Sequence, residues 1–151
     1  DYLVEVNSLH FPINDEHMIG GLFHVVNDIE RIGDHAENFA DCARRRKEKG
    51  IKFSKEAQKE LGDMLEMVTK MVRLSIETFH HKEDEHIRKI NDLEILVDEK
   101  ERELQQKHID RLTQNACTPE AGMIFSDVVS GLERVADHTT NIAHGIANIG
   151  E

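Results

Sequence analysis

The chain has 151 residues, 30 Asp plus Glu against 19 Lys plus Arg, a formal net charge of −11, 5% aromatic residues and two prolines. That length allows one domain with a real core, and the acidic balance argues against nucleic-acid binding, which needs basic surface to displace counterions. No apolar run reaches the ~18 residues of a membrane span, and Cys42 and Cys117 show neither CxxC spacing nor a disulfide framework, so a reducing compartment is expected.

The head, DYLVEVNSL, is a short apolar-rich stretch before Pro12 that reads as the tail of another helix. The chain opens at Asp1 without an initiator methionine and reads as a piece of something larger. A first long helix is predicted from about Asp15 to Lys49, capped by Asn14 or Asp15 and closed by Gly50 after the basic run Arg44–Lys49, whose cations favour a helix C-terminus. Val25, Ile29, Ile32, Ala36, Phe39 and Ala43 form its apolar stripe at helical spacing. Gly20 and Gly21 fall inside this helix and suggest close helix packing. A second helix follows the cap Ser54 and runs to about His80, with Leu61, Leu65, Val68, Val72 and Phe79 inward.

The third helix spans about Asp84 to Asn115, with Ile90, Leu93, Val97 and Leu104 inward. The fourth starts at Thr118-Pro119-Glu120, a cap followed by proline at the first helical position, and runs to Gly150. Ile124, Val128, Leu132, Val135, Ile142 and Ile146 make its stripe. No segment alternates with period two, so the fold expected is an all-α antiparallel helical bundle.

Two of these helices say nearly the same thing. Residues 25–41 read VVNDIERIGDHAENFAD and residues 128–144 read VVSGLERVADHTTNIAH; eight of the seventeen positions are identical and four more are conservative swaps. Each copy carries E-R-x-x-D-H. Self-similarity marks a duplicated unit, and core packing alone requires only the apolar positions to recur, so the repeated polar set points to function. The chain therefore reads as a single domain over 1–151, in which 1–49 is the remnant of a first repeat and 54–150 a complete three-helix second repeat.

On a helix, i and i+4 lie about 40° apart. With Glu30 at the origin, Asp34 sits near 40° and the apolar stripe centres at about 220°, so the carboxylates stand opposite the core. Glu133 and Asp137 repeat that placement, and Glu94 and Asp98 add a third pair on the flank of the third helix. A solvated helix face is the plain reading of any one such pair. Three features weigh against it: recurrence in register, a third pair on a probable neighbour helix, and like charges at i, i+4 that destabilise a helix unless a cation lies between them. Hard cations prefer carboxylate oxygen, and acids on adjacent turns can bridge metals. Ten histidines point mildly the same way. His35 and His138 lie about 100° round from the acids, where packing or an inter-helix role is at least as reasonable as ligation. Glu77-x-x-His80 and Glu83-x-x-His86 match the spacing of di-iron bundles, but they are neighbours at one turn rather than on facing helices. No P-loop, G-x-S-x-G or H-E-x-x-H is present.

The runs DIERIGDHAENFAD and LERVADHTTNIAH, with LEILVDEKERELQQKHIDRL and the TPEAG turn, resemble the PhoU family of phosphate-uptake regulators, most of all the version found as the cytosolic C-terminal domain of bacterial Na/Pi-II type sodium/phosphate cotransporters. The resemblance implies two three-helix bundles related by duplication, and multinuclear metal clusters, iron or zinc-like, held by E/D-x-x-x-D motifs on the bundle surface. Carried onto this chain, those motifs fall on Glu30 with Asp34, Glu94 with Asp98, and Glu133 with Asp137. It further implies a non-enzymatic regulator that works with a phosphate transporter, in cis or as a partner. The domain is then cytoplasmic, tethered to the inner membrane through the transporter without inserting into it, and forms a homo-oligomer. The first repeat keeps only its last helix and the end of its middle one, which weakens the site expected around Glu30 and Asp34. Two other readings stay open: a di-iron bundle enzyme, which requires inward-facing acids, and a docking or dimerisation domain without metal.

Overall fold

The periodic segments form four helices, with no strand among the described residues: α1 (Ile13–Glu48), α2 (Lys55–His80), α3 (Asp84–Thr113) and α4 (Pro119–Asn148). These come from a computed structural model that describes residues 13–80 and 84–148. The apolar head, His81, Glu83 and the expected end at Gly150 lie outside the described residues.

The sequence sets the helix ends through specific caps. α1 closes on Gly50 at φ +63°, where the Gly50 N–H donates to the Lys47 carbonyl (3.2 Å) and the Ile51 N–H to the Arg46 carbonyl (2.9 Å). That pair of bonds satisfies two of the last carbonyls and needs a left-handed residue, which glycine adopts without strain. α3 ends the same way, with Asn115 at φ 54° in the left-handed position and Ala116 N–H donating to the Arg111 carbonyl (2.8 Å). At the other ends, the Ser54 hydroxyl accepts from Ala57 N–H (3.1 Å) and the Thr118 hydroxyl from Ala121 N–H (3.2 Å).

α2, α3 and α4 pack on one another as a three-helix bundle, and α1 packs against α4 alone among the described helices. Met64 and Met71 of α2, Ile90, Val97 and Leu104 of α3 and Val129 of α4 are fully buried. Each such side chain contributes about 1.5–3 kcal/mol of burial free energy. Glu60 of α2, itself buried, receives Arg111 of α3 through two 2.9 Å bonds and Lys107 at 3.1 Å. α4 has neighbours on three sides, which is why small residues recur along it. Val25 and Phe39 of α1 rest over Gly145 and Gly131, where an added Cβ would lie 2.9 Å and 2.6 Å from their side chains.

The expected stripes of α3 and α4 are inward, with Leu93 and Val128 only partly covered. Those of α1 and α2 are not fully covered. Ile29, Ala36 and Ala43 are exposed, as are Leu65 and Phe79. The cause is the missing contact between α1 and α2, which flank α4 without touching. Gly20 meets nothing within 4 Å, so the close approach is made through the glycines of α4 instead. No helix of the described residues is long and apolar enough to cross a membrane.

Candidate metal centre

The acidic site is built from one face of α3 and one of α4. On α3, Glu94, Asp98 and Glu101 follow at i, i+4 and i+7, a single ridge one turn apart. On α4, Glu133 and Asp137 are one turn apart and lean toward that ridge. Register between the two helices is fixed by Gln105, which donates to the Ser130 hydroxyl (3.0 Å) and accepts from the Ser126 hydroxyl (2.9 Å). Ser130 in turn donates to Glu101 at 3.1 Å. The result is that one oxygen each from Asp98, Glu133 and Asp137 lie within 4.8 Å of one another.

That spacing decides what the group can hold. Oxygens on opposite sides of one hard cation, at bonds of 2.3–2.6 Å, are separated by about 5 Å. The three carboxylates therefore fit a single ion with small side-chain adjustments. Without a cation they repel. Burial, then Asp137, Glu101 and Asp98, push the Glu133 carboxyl up to about 7, with Arg134 opposing. Burial, then Asp137 and Asp98, also raise Glu94, and His144 opposes. Arg134 lies 3.7 Å from Glu133 but is two-thirds exposed, with a side-chain accessibility of 66%, so it neutralises weakly. All donors in the group are carboxylate oxygens, the chemistry of hard ions rather than of thiolate or imidazole sites.

The six residues marked by the sequence thus divide. Asp98, Glu133 and Asp137 come together, Glu94 stands beside them within electrostatic reach, and Glu30 and Asp34 stand apart, exposed on α1. The expectation that the α4 pair stands outside the core is met only in part. Glu133 and Asp137 do lie opposite the core stripe, but α3 overhangs that side and leaves Glu133 only 21% exposed. Glu101 was missed, although its place three residues past Asp98 put it on the same ridge.

His138 bridges helices rather than joining the cluster. Its Nδ1 lies 2.8 Å from Asp28 Oδ1 of α1, and its ring stacks on His35 at 5.9 Å. Burial chiefly, with His138 and Arg134 adding, holds His35 below the usual imidazole range. His86 and Glu77 approach to 3.8 Å at the far end of α2, and no acidic metal-type group of three forms there among the described residues.

Fold and site together define a class: a helical bundle with long helices that gather acids into an inter-helix groove. The PhoU domain family model matches residues 61–146, and the chain belongs to that family. It is similar to the phosphate-specific transport system accessory protein PhoU homolog 1 of Thermotoga maritima, 28% identical over 123 residues that make up 82% of this chain and 52% of that protein. A Burkholderia phosphate-specific transport system accessory protein PhoU homolog is 24% identical over 132 residues, 85% of this chain and 55% of that protein. The chain spans about half the length of these curated relatives.

Proposed function

We propose that this is a non-enzymatic regulatory domain of phosphate transport that holds a hard metal ion between α3 and α4. Asp98, Glu133 and Asp137 bind the ion, with Glu94 and Glu101 as outer carboxylates. The observation that carries the reading is the convergence of three carboxylate oxygens within 4.8 Å, with the Glu133 carboxyl pushed up to about 7 by burial and by its acidic neighbours. Membership of the PhoU domain family supports the phosphate-transport part. An all-oxygen set favours a hard cation over zinc; calcium fits the 4.8 Å spread as it stands, and a smaller ion such as magnesium, with bonds of about 2.0–2.1 Å, needs the three side chains to close in. The domain acts at the cytosolic face of the membrane, joined to a sodium/phosphate cotransporter. The resemblance of the chain to the form of the family found on such cotransporters is what favours that context. Met18, Phe23, Val26 and Ile29 leave an apolar flank on α1 that suits a partner or a second copy.

Metal content of protein purified without chelator tests this. The parent chain is expected to retain close to one ion or more per chain. Glu133→Ala with Asp137→Ala abolishes that content, whereas Glu30→Ala with Asp34→Ala leaves it nearly intact. Unchanged metal in the first pair removes the site assignment. Oxygen-dependent absorbance changes after iron loading would instead favour the di-iron enzyme.

A further inference from the structure

A second site lies at the loop end of the bundle, where the α1–α2 and α3–α4 connections meet. They enclose a cavity of about 440 Å³, within the ~300–1,000 Å³ range of small-molecule sites. The charge there opposes that of the molecule. In a chain of net charge −11, the cavity is lined by Lys49, Lys52 and Arg111 against the single carboxylate of Glu120. Lys49 closes on Glu120 at 2.7 Å, and both side chains are more than half exposed. Arg111 is held by Glu60 and lies over the Phe125 ring at 4.9 Å. Lys52 has no partner among the described residues. α2 and α4 begin at this cavity and α1 and α3 end there, so the opposite helix-end charges offset one another and the positive character comes from the side chains.

The second, independent observation is His108. It lines the cavity, is only 9% exposed, and neither ring nitrogen has a hydrogen-bond partner among the described residues. Its ring occupies the space over Gly122, where an added Cβ would lie 2.2 Å from Cε1. Burial, then Arg111, lowers its proton affinity, leaving a neutral imidazole with a donor and an acceptor to offer. A buried polar group of this kind is normally satisfied, and here the open side is the cavity. Phe53 and Phe125, which meet edge to face at 5.9 Å, join Ile51, Ala57 and Ala121 as the apolar part of the cavity lining.

We propose that this cavity binds a small oxyanion carried on an apolar body, an aryl phosphate or aryl carboxylate in class. The anionic group sits near Lys52, the apolar body lies against Ile51, Ala57, Ala121 and the edges of Phe53 and Phe125, and His108 supplies a directional hydrogen bond. A bare tetrahedral oxyanion would leave most of the volume empty and the apolar lining unused. The carboxylate groove on α3 and α4 shares no residue with this site, so the two stand or fall separately.

Titration of the full chain in excess chelator, followed by heteronuclear NMR, tests the proposal with phenyl phosphate, benzoate, inorganic phosphate and phenol as probes. At least one aryl anion is expected to saturate with a midpoint below about 1 mM, shifting the His108 ring resonances. It is expected to bind about tenfold more tightly than inorganic phosphate or phenol. Whichever of phenyl phosphate and benzoate binds better fixes the oxyanion. His108→Ala and Lys52→Glu each weaken it by about fivefold or more. Lys52 is exposed, so that variant decides the matter if His108→Ala fails to fold. Absence of saturation by either aryl anion at about 10 mM overturns the proposal. So does binding that both variants leave unchanged. Equal affinity for inorganic phosphate removes the aromatic part, and equal affinity for phenol removes the anionic part.

Discussion

α1 and α4 carry nearly the same sequence and live in different surroundings. Val129 and Leu132 are 0% and 3% exposed, whereas their counterparts on α1, Val26 and Ile29, are 47% and 54% exposed. The same division runs through the polar set. Glu133 and Asp137 face the acids of α3 across a groove, while Glu30 and Asp34 join no acidic group with another helix among the described residues. The E-R-x-x-D-H run therefore supplies only part of an acidic group. What completes it is a helix of the α3 kind, with its own acidic ridge and its own register contacts, lying beside the run.

The largest expected effect tests the apolar half of that contrast. Leu132→Ala leaves a cavity among three helices and is expected to destabilise the chain by about 3 kcal/mol, whereas Ile29→Ala on the bare flank costs under about 0.5 kcal/mol. Urea unfolding of both variants measures the pair. Comparable losses would mean that α1 is covered in solution, by a second copy or another partner, and a dependence of the midpoint on protein concentration would separate those cases.

A smaller effect tests the contact between the two copies. Gly131→Ala puts a methyl 2.6 Å from the far edge of the Phe39 ring, so the ring must turn aside or α1 must move away from α4, at a cost of about 1–3 kcal/mol. Gly33 on α1 has nothing within 4 Å, so Gly33→Ala gains helix propensity and stabilises by up to about 1 kcal/mol. Thermal unfolding with a probe on α1, such as amide exchange across residues 25–42, distinguishes local release of α1 from global loss. If Gly131→Ala is neutral, α1 does not depend on close approach to α4.

Much of this was legible before the fold was known, and the gaps have a common cause. Helix limits were readable because Ser54, Thr118-Pro119 and Gly50 announce caps locally. The pairing of Asp98 with Glu133 and Asp137 was foreshadowed by matching i, i+4 spacing. Glu101 was also within reach, since it continues the same ridge. Coverage was not readable. Ile29 and Leu65 have the periodicity of core residues, and only the absence of contact between α1 and α2 exposes them. The Asp28–His138 pair spans 110 residues and involves a position occupied by Gly131 in the other copy, so the repeat itself hid it. The basic cavity is assembled from two turns that no periodic pattern connects.

The finest test of the comparison is a protonation. The Glu133 carboxyl is pushed from an ordinary 4.5 up to about 7 by burial and by Asp137. Below about 4.5 the group is protonated in both the folded and the unfolded chain and makes no difference to stability. As pH rises through the interval to 7, the unfolded chain releases this proton while the folded chain keeps it, so stability falls. Above 7 the penalty is complete and flat. In chelator, Glu133→Gln is expected to remove that decline and to be more stable than the parent at pH 8 by about 1–2 kcal/mol, below the full linkage value because the side chain retains solvent contact. The control is Glu30→Gln on α1, exposed and outside any acidic group among the described residues, which is expected to gain no such stability at pH 8. Adding a hard cation at pH 8 supplies the missing countercharge and is expected to reverse the order, stabilising the parent but not Glu133→Gln. If both glutamines give the parent's pH profile, the groove does not crowd the α4 carboxylates, and the two copies differ in apolar coverage alone.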